Sequence, residues 1–429
     1  MTTTKKYDVI IIGSGIAGLY SAYNIKKIAP ELSFLILEKH KKQWIGGRTS
    51  NETFYGTEIV TGAGIGRKKK DKLLIKLMEE LDVKFSEFDF DPIIANTVNN
   101  PVDIKQIVGF LKKKLDNNSI NDNKTFKQFA ENELGEDIYK NFLITNGYTD
   151  YENDDVFDVI QNYGLEDNYC CWKGLNVPWK KLVLTLAHKI GMNNIRTSCN
   201  AVKIIKFNTD INTNTNTNTN TNTNTNNYNY CVETDNNIDY YCNKIIVATT
   251  ITSLRLLFPR HKIYDQIEPQ PFLRLYAKFS KSSIPIMKEF IKGYTIVPGP
   301  LQKIIPIDQN KGIYMIAYSD NKNALALKKH VANNEENCDF FASLVEKSLG
   351  IPVNTIKINA LKDFYWEVGT HYYKPLDIKM YYNRSEFVYM AQHPDPNIIV
   401  VGEVVANNQG WTEGALESVK EALTKSWLK

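Results

Sequence analysis

The sequence lacks the features that mark a membrane-spanning or zinc-binding protein. No apolar run reaches the roughly 18 residues that a membrane-spanning helix needs, so we expect no span. Its six cysteines show neither a CxxC spacing nor a paired histidine motif, which argues against a metal site and favours reduced thiols. The first two are expected to be packing residues. The six are Cys170, Cys171, Cys199, Cys231, Cys242 and Cys338.

An excess of charge of one sign is also missing. The 52 basic and 48 acidic residues leave a formal charge of +4, which is too balanced to favour nucleic acid or an anionic membrane as the main partner. The amino-terminal stretch MTTTKKYDV contains no hydrophobic signal-peptide region. We therefore expect a cytoplasmic protein.

The length favours two closely packed domains, because 429 residues exceed the size at which a single core keeps growing. The segment 208–227 is an Asn/Thr repeat without apolar anchors, so we expect a disordered loop at the tip of an expanded hairpin. Helical spacing of apolar residues dominates between about 72 and 190. Strands and helices alternate from about 264 to 395.

The stretch YDVIIIGSGIAGLYSAY carries the first functional motif. Gly13, Gly15 and Gly18 form G-x-G-x-x-G between a strand and a helix, where glycines permit a tight turn, close approach of a pyrophosphate and close helix packing. A second strand, LSFLILE, ends at Glu38, where a carboxylate accepts hydrogen bonds from ribose hydroxyls. The pattern predicts a dinucleotide site and does not separate FAD from NAD.

Three further stretches separate the two cofactors. They are WIGGRTS after Glu38, TEIVTGAGIG shortly afterwards, and QGWTEGALES near the end of the chain. With these stretches the sequence resembles the flavin-containing amine oxidases, a family that includes monoamine, polyamine and L-amino-acid oxidases. The likeness is strong at 7–66 and 396–420 and weak at 86–170.

The resemblance implies an α/β fold in which an FAD-binding, Rossmann-like domain of the glutathione-reductase type is interleaved with an α+β substrate domain. We place the FAD-binding domain at 1–85, 175–262 and 395–429. The substrate domain then takes 86–174 and 263–394. A homodimer is compatible with this arrangement.

The resemblance also implies which residues contact the cofactor. Arg48 would meet phosphate with its planar guanidinium, and Glu403 would accept bonds from ribityl hydroxyls. The helix that begins near Thr412 would direct its free N-H groups at the pyrimidine end of the flavin, and the Val202 backbone would meet adenine. The full set is Gly13, Gly15, Ile16, Ala17, Gly18, Glu38, Lys39, Gly46, Gly47, Arg48, Gly62, Ala63, Val202, Gly402, Glu403, Trp411 and Thr412.

Two aromatic side chains are expected to flank the substrate nitrogen, as they often do in the family. Trp411 and Tyr372 are the candidates, and such an apolar cage would favour the neutral amine by desolvation. His371 falls where monoamine oxidases have a cysteine bonded to the flavin. An ordinary hydrogen-bonded histidine and a non-covalent FAD are the preferred interpretation, and a covalent bond is the alternative.

Arg274 is the main departure from the family pattern. It stands where the resemblance implies a lysine that holds a water against the flavin, unless Lys278 is the true equivalent. Arginine does not deprotonate and presents a planar fork of donors. It could anchor water or a substrate carboxylate, but it does not reproduce the role of lysine.

The leading hypothesis is an FAD-dependent amine oxidase that uses a small-molecule amine and O2 and releases H2O2. One alternative keeps FAD but oxidises a C-C bond, as a desaturase or a protoporphyrinogen-oxidase-like dehydrogenase would. The other is a flavoprotein with a structural role, in which the cofactor stabilises the fold. No metal is expected.

Overall fold

The computed structural model describes residues 4–117, 123–165, 171–207 and 228–429. The predicted disordered loop at 208–227 and Cys170 lie outside these ranges. The remaining predicted segments can be followed along the chain.

Eighteen strands and fourteen α-helices, together with short 3₁₀ and π segments, form the described part of the protein. The strands are β1 Thr4–Ile12, β2 Phe34–Leu37, β3 Asn51–Phe54, β4 Thr57–Val60, β5 Gly66–Arg67, β6 Ser86–Phe90, β7 Ile93–Ile94, β8 Trp172–Asn176, β9 Ile195–Arg196, β10 Ala201–Lys206, β11 Tyr230–Thr234, β12 Asp239–Val247, β13 Ile267–Phe279, β14 Thr295–Ile296, β15 Lys303–Asp308, β16 Ile313–Asp320, β17 Ile358–Tyr373 and β18 Ile398–Val400. The helices are α1 Ile16–Ile28, α2 Lys72–Glu80, α3 Ile104–Asn117, α4 Phe126–Leu134, α5 Glu136–Asn146, α6 Val156–Asp158, α7 Trp179–Ile190, α8 Ile251–Leu257, α9 Ser283–Phe290, α10 Asn321–Leu327, α11 Glu335–Leu349, α12 Arg384–Gln392, α13 Thr412–Ala422 and α14 Lys425–Leu428.

The first sheet has seven strands in the order β10-β11-β12-β1-β2-β9, with β18 paired to β12. Strands β1, β2, β9, β12 and β18 run parallel to their neighbours in this group. Their apolar residues are buried on both faces, as a parallel sheet covered by helices requires. The carboxyl ends of β1, β2, β12 and β18 therefore meet at one edge, where the chain reverses its strand order and where ligands bind in such sheets.

Helices α1, α7 and α13 cover one face of this sheet and pack on each other around a core of aliphatic side chains. In α1 the residues Leu19, Ala22 and Ile25 are fully buried, which matches the apolar spacing in the sequence. The first and last segments of the chain thus share one core. That core holds the turn after β1 next to the start of α13.

The second sheet has six strands in the order β17-β13-β16-β15-β14-β7. The long strand β17 pairs antiparallel with β13, and the register shifts between Gln270 and Phe272. Helices α9, α10 and α11 pack on one face of this sheet through a separate core. Helices α3 to α6 form a further cluster around Phe126, Phe142 and Tyr151.

The fold is the predicted mixed α/β architecture with a Rossmann-like sheet. The strands of the first sheet all come from segments assigned to the FAD-binding domain, and those of the second sheet from segments assigned to the substrate domain. The domain boundaries themselves stay a prediction. Among the described residues, no helix combines the length and apolar character needed to cross a bilayer.

The cysteines depart from expectation at one position. Cys171 is disulfide-bonded, whereas Cys199, Cys231, Cys242 and Cys338 are free and buried. The expectation of reduced thiols is therefore wrong for Cys171. In the described part of the chain, no group of three or more His, Cys, Asp or Glu side chains is arranged to hold a metal ion.

Candidate functional site

The turn between β1 and α1 has the geometry that its glycines predict. Gly13 has a φ of +104°, and a Cβ there would lie 2.3 Å from the Ala248 carbonyl oxygen. A Cβ on Gly18 would lie 2.0 Å from the Gly13 carbonyl oxygen, so helix and strand pack too closely for a side chain. A Cβ on Gly15 would meet nothing within 4 Å. The space in front of the α1 amino terminus is thus open to a ligand, and free N-H groups there favour an anion.

Glu38 follows β2 and lies beside this turn. Its Oε2 accepts the Ser14 N-H at 2.8 Å and the Ser14 hydroxyl at 2.7 Å, and its Oε1 accepts the His40 N-H at 2.8 Å. A carboxylate has about four acceptor positions, so one remains for a ligand hydroxyl. Lys39 follows it and is exposed.

The WIGGRTS segment crosses the same edge of the sheet. The Gly46 N-H donates to the Ser14 carbonyl at 2.9 Å, and Gly46 and Gly47 have φ values of +97° and +57°. Arg48 donates from Nη1 to the Gly369 carbonyl at 2.7 Å. A Cβ on Gly62 would lie 2.2 Å from the Arg48 carbonyl oxygen. Glycines therefore let the backbone at Gly46 approach the turn after β1 and the backbone at Gly62 approach that of Arg48.

Glu403 ties the last segment of the chain to the rest of the site. Its Oε1 accepts the N-H groups of His371 at 2.8 Å and Gly410 at 2.9 Å. Its Oε2 lies 2.6 Å from His371 Nδ1 and 3.3 Å from Arg48 Nη1. Burial alone would raise the pKa of Glu403, but the interactions with His371, Arg48 and Gly410 lower it to about 2. All four acceptor positions are thus used by protein donors, which leaves none for the predicted ribityl hydroxyls.

His371 lies behind the wall of the site rather than in it. Its side chain is 0% exposed, and Nε2 accepts the Ile251 N-H at 3.1 Å. An acceptor at Nε2 requires the proton on Nδ1, which donates to Glu403. Both ring nitrogens are therefore occupied, and the arrangement does not fit the covalent alternative.

Tyr372 does not form the predicted aromatic wall. It pairs with Glu268 across β13 and β17, and it is absent from the described residues that line the main cavity. Trp366 of the same strand lines that cavity and donates from Nε1 to the Thr61 carbonyl at 2.8 Å. The cavity is lined by residues 365–370 of β17, whereas residues 371–373, farther along the strand, are absent from its described lining.

Trp411 and Thr412 lie at the start of α13, as predicted from the sequence. Trp411 donates from Nε1 to Asp71 Oδ2 at 2.9 Å and packs edge-on against Trp179, with ring centroids 6.0 Å apart. Thr412 is buried and opens the helix. The next residue, Glu413, accepts the N-H groups of Leu73 at 2.6 Å and Leu74 at 2.9 Å, and so fixes α13 to the start of α2.

One cavity of about 1230 Å³ connects these elements. Val202 is 45% exposed and does not line it, whereas the preceding Asn200 and Ala201 do. Gly18, His371 and Tyr372 are also absent from its described lining. The predicted residues that line it are Gly13, Gly15, Ile16, Ala17, Glu38, Lys39, Gly46, Gly47, Arg48, Gly62, Ala63, Arg274, Gly402, Glu403, Trp411 and Thr412.

The end of the cavity toward the second sheet is rich in aromatic side chains. We call this end the aromatic chamber. It is lined by Phe90, Tyr148, Tyr163, Trp172, Tyr294, Tyr318 and Trp366, together with Asp150 and Arg274. Sequence reasoning missed all of these except Arg274. Their positions follow no local motif, because they come from six separate segments that only the tertiary fold unites.

Arg274 is buried in the wall of the chamber. It is 4% exposed, donates from Nε to the Gly62 carbonyl and places its guanidinium carbon 3.9 Å from the centroid of the Tyr318 ring. Burial alone would lower the pKa of Arg274, but Tyr318 and Tyr276 raise it above the ordinary value. Lys278 lies elsewhere, with its Nζ bonded to the Phe279 and Lys311 carbonyls. Of the two candidates from the sequence, Arg274 is thus the one that lines the cavity.

Comparisons with known proteins support the fold. A model of the NAD(P)-binding Rossmann-like domain matches residues 11–81. The uncharacterized protein R188 of Acanthamoeba polyphaga mimivirus is 20% identical, with 97% of this chain and 93% of that protein covered.

Solved structures match over nearly the whole chain. A triple mutant of putrescine oxidase superposes with a TM-score of 0.72 at 15% identity, and the wild type bound to putrescine with 0.68 at 14%; each match covers 99% of both chains. A protein of Exiguobacterium sp. 255-15 assigned as a protoporphyrinogen oxidase gives 0.66 at 14%, with both chains fully covered. The chain therefore shares the fold of putrescine oxidase and of the Exiguobacterium protein.

Proposed function

We propose that the protein is an FAD-dependent oxidase of amines. The observation that carries the proposal is the single cavity that runs from the glycine turn at Gly13 and Gly15 to the aromatic chamber. A dinucleotide cofactor bound at the turn could extend along this cavity to the chamber. The fold shared with putrescine oxidase supports the same assignment.

The residues at the turn fit FAD. The open position at Gly15 leaves room for a pyrophosphate, and Glu38 keeps one acceptor position for a ribose hydroxyl. Arg48 uses one nitrogen for the Gly369 and Glu403 oxygens, so its other N-H groups are available to a phosphate oxygen. Glu403 would orient Arg48 rather than contact the ribityl chain. Because His371 offers no free nitrogen, we propose that FAD is held without a covalent bond.

FAD, when bound, would supply the hydride acceptor for the reaction. The amine substrate would lose a hydride from the carbon beside its nitrogen and a proton from the nitrogen, giving an imine that water hydrolyses. Dioxygen would take up the two electrons and two protons and leave as H2O2. The protein would contribute positioning and a water-poor environment, without a nucleophile of its own.

Trp411 and Trp366 are the aromatic side chains that we propose as the walls beside the reacting nitrogen. Both line the cavity, and each is fixed by its indole N-H, Trp411 on Asp71 and Trp366 on the Thr61 carbonyl. Fixed apolar walls disfavour the ammonium form by desolvation. The neutral amine, which can lose hydride, is thereby favoured.

The test is peroxide release by the FAD-loaded protein on a panel of primary amines, amino acids and polyamines in air. We expect H2O2 and carbonyl product in equal amounts with at least one donor, and anaerobic bleaching of the flavin by the same donor. Trp366→Leu should lower kcat/KM, whereas Tyr382→Leu, a change at a side chain that is 89% exposed, should not. A flavin that no amine reduces would refute the proposal.

A second candidate function is oxidation of a C-C bond in a porphyrinogen-like substrate. It is favoured by Arg274 at the position where the resemblance implies lysine, and by the fold shared with the Exiguobacterium protein. Reduction of the flavin by a porphyrinogen and by no amine would support this candidate over the first.

A further inference from the structure

Two oppositely charged side chains line the aromatic chamber without an ionic partner. Asp150 is 7% exposed and Arg274 is 4% exposed. Within the residues that the structure describes, neither forms an ion pair with another side chain. Buried charges are normally paired, so a built site with open charges of both signs indicates a ligand that carries both.

The Asp150 carboxylate has capacity for a cation. Its Oδ1 accepts the Tyr163 hydroxyl at 2.5 Å, and no other residue in the described ranges donates to its side chain. Burial and the nearby Asp320 carboxylate raise the pKa of Asp150 to about 7. The ionisable groups that surround it are Tyr163, Lys303, Asp320, Asp154 and Asp158.

The neighbouring charges offset the charge of Asp150 only in part, because Lys303 lowers the pKa of Asp150 by less than burial and Asp320 raise it. In the described part of the chain Lys303 forms no ion pair with Asp150; its Nζ donates to the Gly147 carbonyl at 2.5 Å and lies 3.1 Å from the centroid of the Tyr148 ring. Asp320 is occupied by the Thr149 N-H and hydroxyl and by the Gln302 amide. Both lie behind the aromatic wall and outside the described lining of the cavity.

Arg274 lies on the same wall. Its guanidinium stacks on Tyr318, and the Tyr318 ring packs edge-on against Tyr148, with centroids 5.7 Å apart. Tyr148 is two residues from Asp150. The Nε of Arg274 is fixed on the Gly62 carbonyl and Nη1 contacts the Met315 sulfur at 3.8 Å. Its remaining donors can meet a planar carboxylate.

The exposed acids along the cavity, Glu58, Asp89, Asp91 and Glu367, are poor competitors. Asp89 is 81% exposed in its side chain and pairs with Lys173 at 2.7 Å. Glu367 is likewise 81% exposed and pairs with Lys328 at 3.1 Å. Charges this exposed interact only weakly with an opposite charge, because water screens them. The buried Asp150 is the stronger anchor for a positive charge.

We propose, on the basis of the amine oxidase function above, that the chamber selects amino acids with a basic side chain. Arg274 binds the substrate carboxylate, and Asp150 binds the distal cationic group. The α-amino group is then the nitrogen that is oxidised. Asp150 and Arg274 are thus specificity-determining residues.

A matched set of four substrates tests each charge separately. Pentylamine, 1,5-diaminopentane, norleucine and lysine share a five-carbon chain and differ only in the carboxylate and the distal ammonium. We expect the wild type to show the highest kcat/KM on lysine. Asp150→Asn should lower the preference for lysine over norleucine by about 10- to 100-fold, and Arg274→Gln the preference for norleucine over pentylamine by a similar factor.

The controls are Asp339→Asn and Arg260→Gln, which change exposed residues of the same types and should leave all four ratios unchanged. Wild-type enzyme that oxidises the two simple amines better than the two amino acids would overturn the inference and leave the amine oxidase function standing. A lysine preference that survives in Asp150→Asn would also overturn it.

If no amine is oxidised, the affinities of lysine and norleucine for the FAD-loaded protein can still be measured by calorimetry. If lysine binds at least tenfold more tightly than norleucine and Asp150→Asn removes that difference, the charge-selective site stands and the oxidase function fails. If lysine and norleucine bind equally, or neither binds, the inference fails as well.

Discussion

Replacing Glu403 with glutamine should destabilise the whole protein, because this carboxylate joins three remote segments. Its acceptors hold the Arg48 guanidinium, the His371 ring and backbone, and the Gly410 N-H. All partners of the Glu403 carboxylate are donors, so the NH2 group of a glutamine at this position would face donors instead of accepting from them. Buried donors that lose a charged acceptor are costly.

The pKa of Glu403 gives the size of the effect. These interactions lower it from an ordinary 4.5 to about 2, and a tenfold change in proton affinity is equivalent to 1.36 kcal/mol. We therefore expect Glu403→Gln to lower the free energy of unfolding by roughly 3 kcal/mol at pH 7. A lowered pKa stabilises the fold above the unfolded value of 4.5, and this contribution is lost as pH falls toward 2.

Urea unfolding of both proteins at pH 7 and pH 3.5, followed by tryptophan fluorescence, measures this effect. The difference in the free energy of unfolding between wild type and Glu403→Gln should be about 1.4 kcal/mol smaller at pH 3.5 than at pH 7. Glu87→Gln is the control, because Glu87 forms an exposed pair with Lys68 and should change stability by less than about 1 kcal/mol. Equal stabilities at pH 7, or a difference independent of pH, would refute the reasoning.

Three further predictions concern the turn, the chamber and a helix end. Gly13→Ala should destabilise the protein, because its Cβ would meet the Ala248 carbonyl. Gly15→Ala, whose Cβ meets nothing within 4 Å, should change the free energy of unfolding by less than about 0.5 kcal/mol but weaken FAD binding at least about tenfold. Thermal melts of the apoprotein measure the first effect and FAD titrations measure the second. The preference for lysine over norleucine should rise by up to about tenfold between about pH 6 and pH 8. The reason is that Asp150, with a pKa of about 7, becomes charged over that range. Profiles of kcat/KM against pH that are parallel for lysine and norleucine would contradict this. Glu413→Ala should cost about 1–2 kcal/mol, because the Leu73 and Leu74 N-H groups lose their acceptor; urea melts that match those of the exposed control Glu336→Ala would count against it.

The fold could be predicted well from the sequence because its signals are local. The turn needs glycine at Gly13 and Gly18 because a Cβ would clash with backbone there, and Gly15 leaves room for a ligand. Glu38 could be placed because it directly follows a buried strand at a fixed distance after the turn. The helices α1, α2 and α7 follow from the spacing of their apolar residues.

The chamber could not be predicted, because long-range packing decides it. Tyr372 and Trp366 lie on one strand, and only the tertiary fold decides that the cavity is lined by residues 365–370 of that strand and not by 371–373. Asp150 and Tyr163 come from the helical region, where no motif marks them. His371 carries the right chemistry, but its partners Ile251 and Glu403 lie 120 and 32 residues away.

The central claim is that the first and last segments of the chain enclose one FAD in the cavity. Titration of the folded apoprotein with FAD, followed by the visible flavin spectrum and tryptophan quenching, tests it most directly. We predict saturation at one FAD per chain, with all of the flavin released into the supernatant on acid precipitation. Folded protein that stays colourless at every FAD concentration would contradict the account.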